Sequence, residues 1–156
     1  MVNFPKTPAQ LIPFHPVQAR RVSLSKHETP LTRWYWNQIG GLLIEEFKVV
    51  KSGNLQGKRH LDGLIVLGEP TSRTGPIKFE LQGRDVIVIQ TKASRLGMNL
   101  MGQCLFSRDL VIGLGAKTVR SIALCTQDDL TLRPLLEQHQ GCEVVVFDGD
   151  LDSLAP

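Results

Sequence analysis

The segment 84–94, RDVIVIQTKAS, constrains this chain more than any other. Its apolar, β-branched run makes a buried strand, yet the strand ends in Gln90 and Lys92. Residues two apart on a strand project from one face, so an amide and an ammonium are aimed side by side where the hydrophobic run stops. Leaving such heads buried without partners costs several kcal/mol, on the order of the desolvation penalty for unpaired polar groups. Something must meet them, and the rest of the chain can be searched for it.

The chain's 156 residues suffice for one domain with a real core, and 42% hydrophobic with 21% charged residues is an ordinary globular composition. Disordered, collagenous and coiled-coil classes are set aside. A net charge of +3 permits a nucleic-acid partner without demanding one. Cys104, Cys125 and Cys142 show no CxxC spacing, which argues for buried free thiols in a reducing compartment rather than a zinc site or disulfide framework. The first residues lack the charged and apolar regions of a signal peptide, and no apolar run reaches the length of a membrane span. The expected location is the cytoplasm.

Residues 1–30 carry Pro5, Pro8, Pro13, Pro16 and Pro30 among six basic or histidine residues. That density of proline predicts an extended arm, either a strap over the core with a solvated basic side or a phosphate-contacting or subunit-exchanging arm. The domain proper is expected over 31–148, with a C-terminal tail over 149–156. A helix is expected to start at Thr29 or Thr32 and to run through LTRWYWNQIGGLLIEEFKVV, placing Tyr35, Ile39, Leu42, Leu43 and Glu46 on one stripe. Glu46 then lies within an apolar helix face, with Glu45 at its edge. HLDGLIVLGEP reads as a strand with Asp62 at its start, TSRTGP as a turn, and KFELQGR as a short strand before the opening one. Together they predict an antiparallel meander.

Past Lys92 the period changes. Leu96, Leu100, Cys104 or Leu105, Leu110 and Leu114 recur at helical spacing. TVRSIALCT is a strand, DDLTLRPLLEQHQG a helix capped by Asp128 or Asp129, and CEVVVFD a last strand. The order α-β-β-β-α-β-α-β predicts an α/β fold with a mixed β-sheet flanked by helices.

Glu46, Asp62 and the Gln90 amide oxygen are the donor types that magnesium or manganese takes, with water and phosphate completing the shell. A lysine beside such a site can orient a water or stabilise phosphate charge.

The pattern Glu46, LDG at 61–63 and IQTK at 89–92 resembles the PD-(D/E)XK, or restriction-endonuclease-like, nuclease superfamily. The resemblance runs from about Thr32 to Val146. It implies an α-β-β-β-α-β core and Mg2+-dependent cleavage of DNA phosphodiesters. Asp62 would be the metal-binding aspartate, Lys92 the catalytic lysine and Glu46 the added helix carboxylate. Gln90 stands where most members carry an acid, and Leu61 where the name has proline. A homodimer presenting two sites to two strands is the expected assembly, with the tryptophan-rich first helix one possible interface. The alternative is a catalytically inactive protein of the same fold that binds DNA or a protein partner. Secondary candidates are Gln103 facing the site, Ser94 and Arg95 after the lysine, and His60 sharing the Asp62 face. Lys58, Arg59, Arg73 and Arg84 are candidates for the DNA backbone. Core or subunit packing accounts for Trp34 and Trp36.

Overall fold

The computed structural model describes residues 26–156. Most of the segment read as an arm lies outside the described residues, but its end does not. Helix α1 begins at Glu28, so 28–30 belong to the domain.

Among the described residues, a six-stranded mixed sheet lies between helices. In chain order the elements are α1 (Glu28–Ile39), β1 (Leu42–Val50), β2 (Arg59–Val66), β3 (Ser72–Thr74) and β4 (Asp85–Arg95). There follow α2 (Met98–Gly113), β5 (Thr118–Gln127), α3 (Leu132–Glu137) and β6 (Cys142–Val146). The strands lie in the order β3-β1-β2-β4-β5-β6. β1, β2 and β4 form the antiparallel meander, while β4, β5 and β6 run parallel through the crossovers α2 and α3.

Alternation along β4 builds the two faces. Ile87 and Ile89 pack with Leu31 and Tyr35 of α1, whereas Val86 and Val88 pack with Val111 of α2. Each such buried side chain contributes about 1.5–3 kcal/mol of transfer free energy. Leu100 and Cys104 cover β5 and β6 together with Leu136 of α3. Trp34 meets Phe147 edge-on at 4.9 Å, and Trp36 Nε1 donates to the Gly41 carbonyl. The three cysteines are free and buried, as their spacing predicts. Asp129 Oδ1 accepts from the N–H groups of Thr131 and Leu132 at the start of α3.

Several expectations are corrected. The first helix ends at Ile39, so Glu46 lies on a strand and not on a helix face. Gly40 and Gly41 take φ of +81° and +79° in succession, a conformation that ends a helix cheaply only in glycine. The apparent helical stripe is therefore shared between a helix and a strand. KFELQGR forms no strand. Leu81 and Phe79 pack beneath the sheet from a loop, and the short third strand comes instead from TSRTGP, paired parallel to β1. In α2 the buried stripe runs Leu100, Cys104, Ser107, Val111, leaving Leu110 and Leu114 exposed. Ser94 belongs to β4 and caps nothing, because α2 starts after Gly97.

Candidate functional site

The meander opens into a fork. The β2–β4 ladder runs from Val66–Val86 to Gly63–Ile89. β2 meanwhile stays paired with β1 as far as Arg59, and β4 stays paired with β5 through Lys92. Past Gly63 and Ile89 the two strands therefore part, and His60, Leu61 and Asp62 line one branch while Gln90, Thr91 and Lys92 line the other. At the crotch the Asp62 carboxylate takes over from the ladder, its Oδ2 accepting the Thr91 N–H at 2.7 Å.

Helix α1 closes one side. Thr32 Oγ1 and Thr91 Oγ1 lie 2.7 Å apart, and Thr32 also donates to the Glu28 carbonyl, so the first turn of α1 is pinned to the fork. Gly63 permits this approach, since a Cβ there would lie 3.0 Å from Thr32 Cγ2 and from Leu43 Cδ1. The pinning brings Glu28 Oε1 to 3.6 Å from Lys92 Nζ. Glu28 is thus the acid that α1 itself brings to the fork. Its signal in the sequence is an acid just ahead of Thr29-Pro30, outside a helix expected to start at Thr29 or Thr32 and inside one that starts at Glu28.

Glu46 reaches the fork from β1. It is flanked by the pairs Glu45–Gly63 and Phe47–Leu61, which sets it across from Asp62. Its φ of +52° is the left-handed region, sparsely used by a residue with a Cβ. The turn aims its carboxylate at the ring of His60, with Oε2 3.7 Å from Nδ1. Glu45 points the other way, is buried, and takes both nitrogens of an Arg33 fork at 2.6 and 3.1 Å with Arg73 beside it. Of the two glutamates, Glu45 is a structural ion pair and Glu46 belongs to the fork.

The charges speak to one another. Asp62 is pushed up to about 6, foremost by burial and further by Glu46 and Glu28, against the lowering pull of the Thr91 N–H and of Lys92. Glu46 is also raised, first by burial, with His60 opposing and Glu45 adding. Gln90 is buried and donates to Ser107 Oγ on α2 at 2.9 Å, which explains a hydroxyl in the apolar stripe of that helix. Lys92 is largely exposed, its side chain 62% accessible. The opening pair therefore separates: the amide is committed to α2 and the ammonium to solvent and Glu28.

Of the secondary residues, His60, Gln103 and Arg59 line a cavity of about 310 Å3 beneath α2, together with Gln90 and Ser107. Arg73 and Arg84 are engaged by Glu45 and Glu69, and Arg95 donates to the Asp128 carbonyl. Lys58 and Arg59 remain exposed.

Among the described residues, no group of three or more histidine, cysteine or acidic side chains is arranged to hold a metal ion by itself. The donors present still fit a divalent cation of the magnesium type, which takes one or two carboxylates and completes its shell with water and phosphate. Asp62 and Glu46 are such a pair: both are raised foremost by burial, and Asp62 further by the charges of Glu46 and Glu28, which a cation would offset. Among the described residues, no helix is long and apolar enough to cross a membrane. No family model, curated protein or solved structure matches the chain.

Proposed function

We propose that this chain is a metal-dependent deoxyribonuclease of the PD-(D/E)XK type, hydrolysing phosphodiester bonds at the fork between β2 and β4. The observation that carries the reading is the convergence of Asp62, Glu46, Glu28 and Lys92 there. The succession α1, β1, β2, β3, β4, α2, β5 also contains the α-β-β-β-α-β core of that superfamily, with the three-residue β3 inserted between β2 and β4.

In this reading Asp62 and Glu46 would hold Mg2+, which when bound would supply positive charge to the scissile phosphate. Lys92 stands at the open end of β4, where its ammonium can orient the attacking water and neutralise charge on the phosphate oxygens. Glu28 fixes the position of that ammonium. Thr91 fixes Asp62 through its backbone N–H, which any side chain at that position would supply. Gln90 ties β4 to α2 by donating its Nε2 to Ser107, and its Oε1, which that bond does not use, would be the third oxygen donor to the metal. Pairing of two copies would let two forks address both strands of a duplex, and light scattering at micromolar concentration tests it.

The test is cleavage of supercoiled plasmid, branched and single-stranded DNA in Mg2+, with EDTA as control. Lys92→Ala is expected to reduce the rate by about 10²–10⁴-fold, the usual worth of a positioned proton-transfer or charge-stabilising group. Because Lys92 is exposed, the same variant should shift stability by no more than about 0.5 kcal/mol. Cleavage that survives the substitution overturns the assignment. The neutral amide of Gln90, standing where most members of that superfamily carry an acid, favours one second reading, a protein of this fold that binds DNA without cutting it. Mg2+-independent binding by a chain that cleaves none of the three substrates would establish that alternative.

A further inference from the structure

The cavity beneath α2 is not needed to hold a metal or to carry a proton, yet it opens from the fork. Its walls come from both branches, His60 and Leu61 on β2 and Gln90 on β4, and its roof from Gln103, Phe106 and Ser107 of α2. Its volume of about 310 Å3 stands at the small end for ligand sites, which run from about 300 to 1,000 Å3. That is room for one planar heterocycle and not for a stack.

The lining is of two kinds. Leu61, Val49, Leu110 and Phe106 are apolar, and Phe106 is left 65% exposed at the mouth, unusual for a phenylalanine. Among the polar groups, His60 Nε2 is buried without a hydrogen-bond partner among the described residues. The His60 ring forms part of the wall, its Nδ1 3.7 Å from Glu46 Oε2. The Gln103 amide, exposed at the rim, offers both a donor and an acceptor. An aromatic edge for a flat face and a few convergent polar atoms for a ring's edge are what a nucleobase requires. The approach is basic. A wider groove lined by Lys48, Lys51 and Lys78 shares Val49 with the cavity.

We infer that this cavity receives one unstacked nucleobase, so that the substrate at the fork is single-stranded or frayed nucleic acid with the cut phosphate adjoining the captured base. The inference rests on the nuclease reading and narrows its substrate. A base inside an intact duplex cannot enter, since its edge is paired and its faces are stacked.

The experiment is fluorescence anisotropy with the full chain in EDTA, comparing a short labelled single strand with the same backbone bearing abasic sites. The base-bearing strand is expected to bind about tenfold more tightly, as one stacked base contributes in other single-strand sites. Phe106→Ala and Gln103→Ala should each bring that ratio below about threefold. Both residues are exposed, and a thermal melt confirms that each variant folds. As a second readout, a dinucleotide should move the nitrogen and carbon NMR signals of the His60 ring. Equal binding of the two strands by the wild-type chain, or a ratio unmoved in both variants, overturns the inference. Cleavage of DNA without base preference overturns the inference alone. Base preference without cleavage overturns only the nuclease reading, and failure to bind either strand overturns both.

Discussion

Asp62 shows at the scale of one residue what this site costs the fold. Its carboxyl is raised from an ordinary value near 3.8 to about 6, so the folded chain binds its proton more tightly than the unfolded chain does. Stability from this group is complete below about pH 4 and is lost as pH rises through 6. The loss amounts to about 2 kcal/mol once partial exposure is allowed for. Asp62→Asn keeps an acceptor for the Thr91 N–H and removes the charge. It should raise the melting temperature at pH 7.5, flatten the stability profile between pH 4 and 6, and abolish cleavage. A variant less stable than wild type at pH 7.5 would refute that account. Magnesium should raise the wild-type melting temperature at pH 7.5 and leave the variant's unchanged, as a ligand held by that carboxylate requires. Gly63 carries a different constraint. Gly63→Ala should cost about 1–3 kcal/mol by urea titration, because its methyl meets Thr32 and Leu43 at contacts too short for a packed core. The same methyl pushes the first turn of α1, and with it Glu28, away from Lys92, so activity should fall with stability.

At the scale of elements, the α1–β1 junction shows what the sequence discloses and what it hides. The strand VIVI and its polar end were readable because buried parallel strands leave an unbroken β-branched run. Helix α2 and strands β5 and β6 were readable for similar reasons of period. LLIEEFKVV was not, because Leu42, Leu43 and Glu46 satisfy a helical spacing measured from Tyr35 and Ile39 as well as they satisfy a strand. The paired positive φ of Gly40 and Gly41 decides between them, and the letters GG, a turn signal, are outweighed by the spacing that continues across them. The nearness of Asp62 and Lys92 was legible since each sits where a strand pattern breaks, and both lie at the fork. Glu28 was not, because its role depends on the Thr32–Thr91 contact across 59 residues. Against the order α-β-β-β-α-β-α-β the described residues hold one strand more: β1 reads as helix and β3 as turn from the letters, while KFELQGR reads as a strand and is a loop. The same junction yields a prediction. Arg33 of α1 holds Glu45 of β1 through two nitrogens, with only 11% of the Glu45 side chain accessible. Arg33→Ala leaves that carboxylate with Arg73 alone and should cost about 2–3 kcal/mol in denaturant unfolding, part of the penalty for breaking a buried pair.

For the whole molecule, charge and sheet order set how a nucleic acid would approach. The net charge of +3 is modest, but Lys48, Lys51, Lys58 and Arg59 are exposed on the β1–β2 end that leads into the fork. Contacts to about four phosphates predict that log Kobs falls with log[salt] at a slope of about −3 for a single strand. Reversing Lys48 and Lys51 to glutamate should flatten that slope by roughly 1–2, which anisotropy titrations at several salt concentrations will read. A slope unaltered by both reversals would place the binding surface elsewhere on the chain.

The parallel pairing of β4 with β5 also bears on how the chain is made. β4 is complete at Arg95 and β5 does not begin until Thr118, so at about 5–20 residues per second the run Val86–Ile89 waits for about 1–4 s of translation before its second neighbour exists. An unpaired β-branched strand is the kind of segment through which nascent chains aggregate. Here it is bracketed by Arg84 and Asp85 on one side and by Lys92 and Arg95 on the other. The lysine assigned to chemistry thus also guards the strand that carries it, and variants at Lys92 should lose yield in the cell even where the purified protein is fully stable.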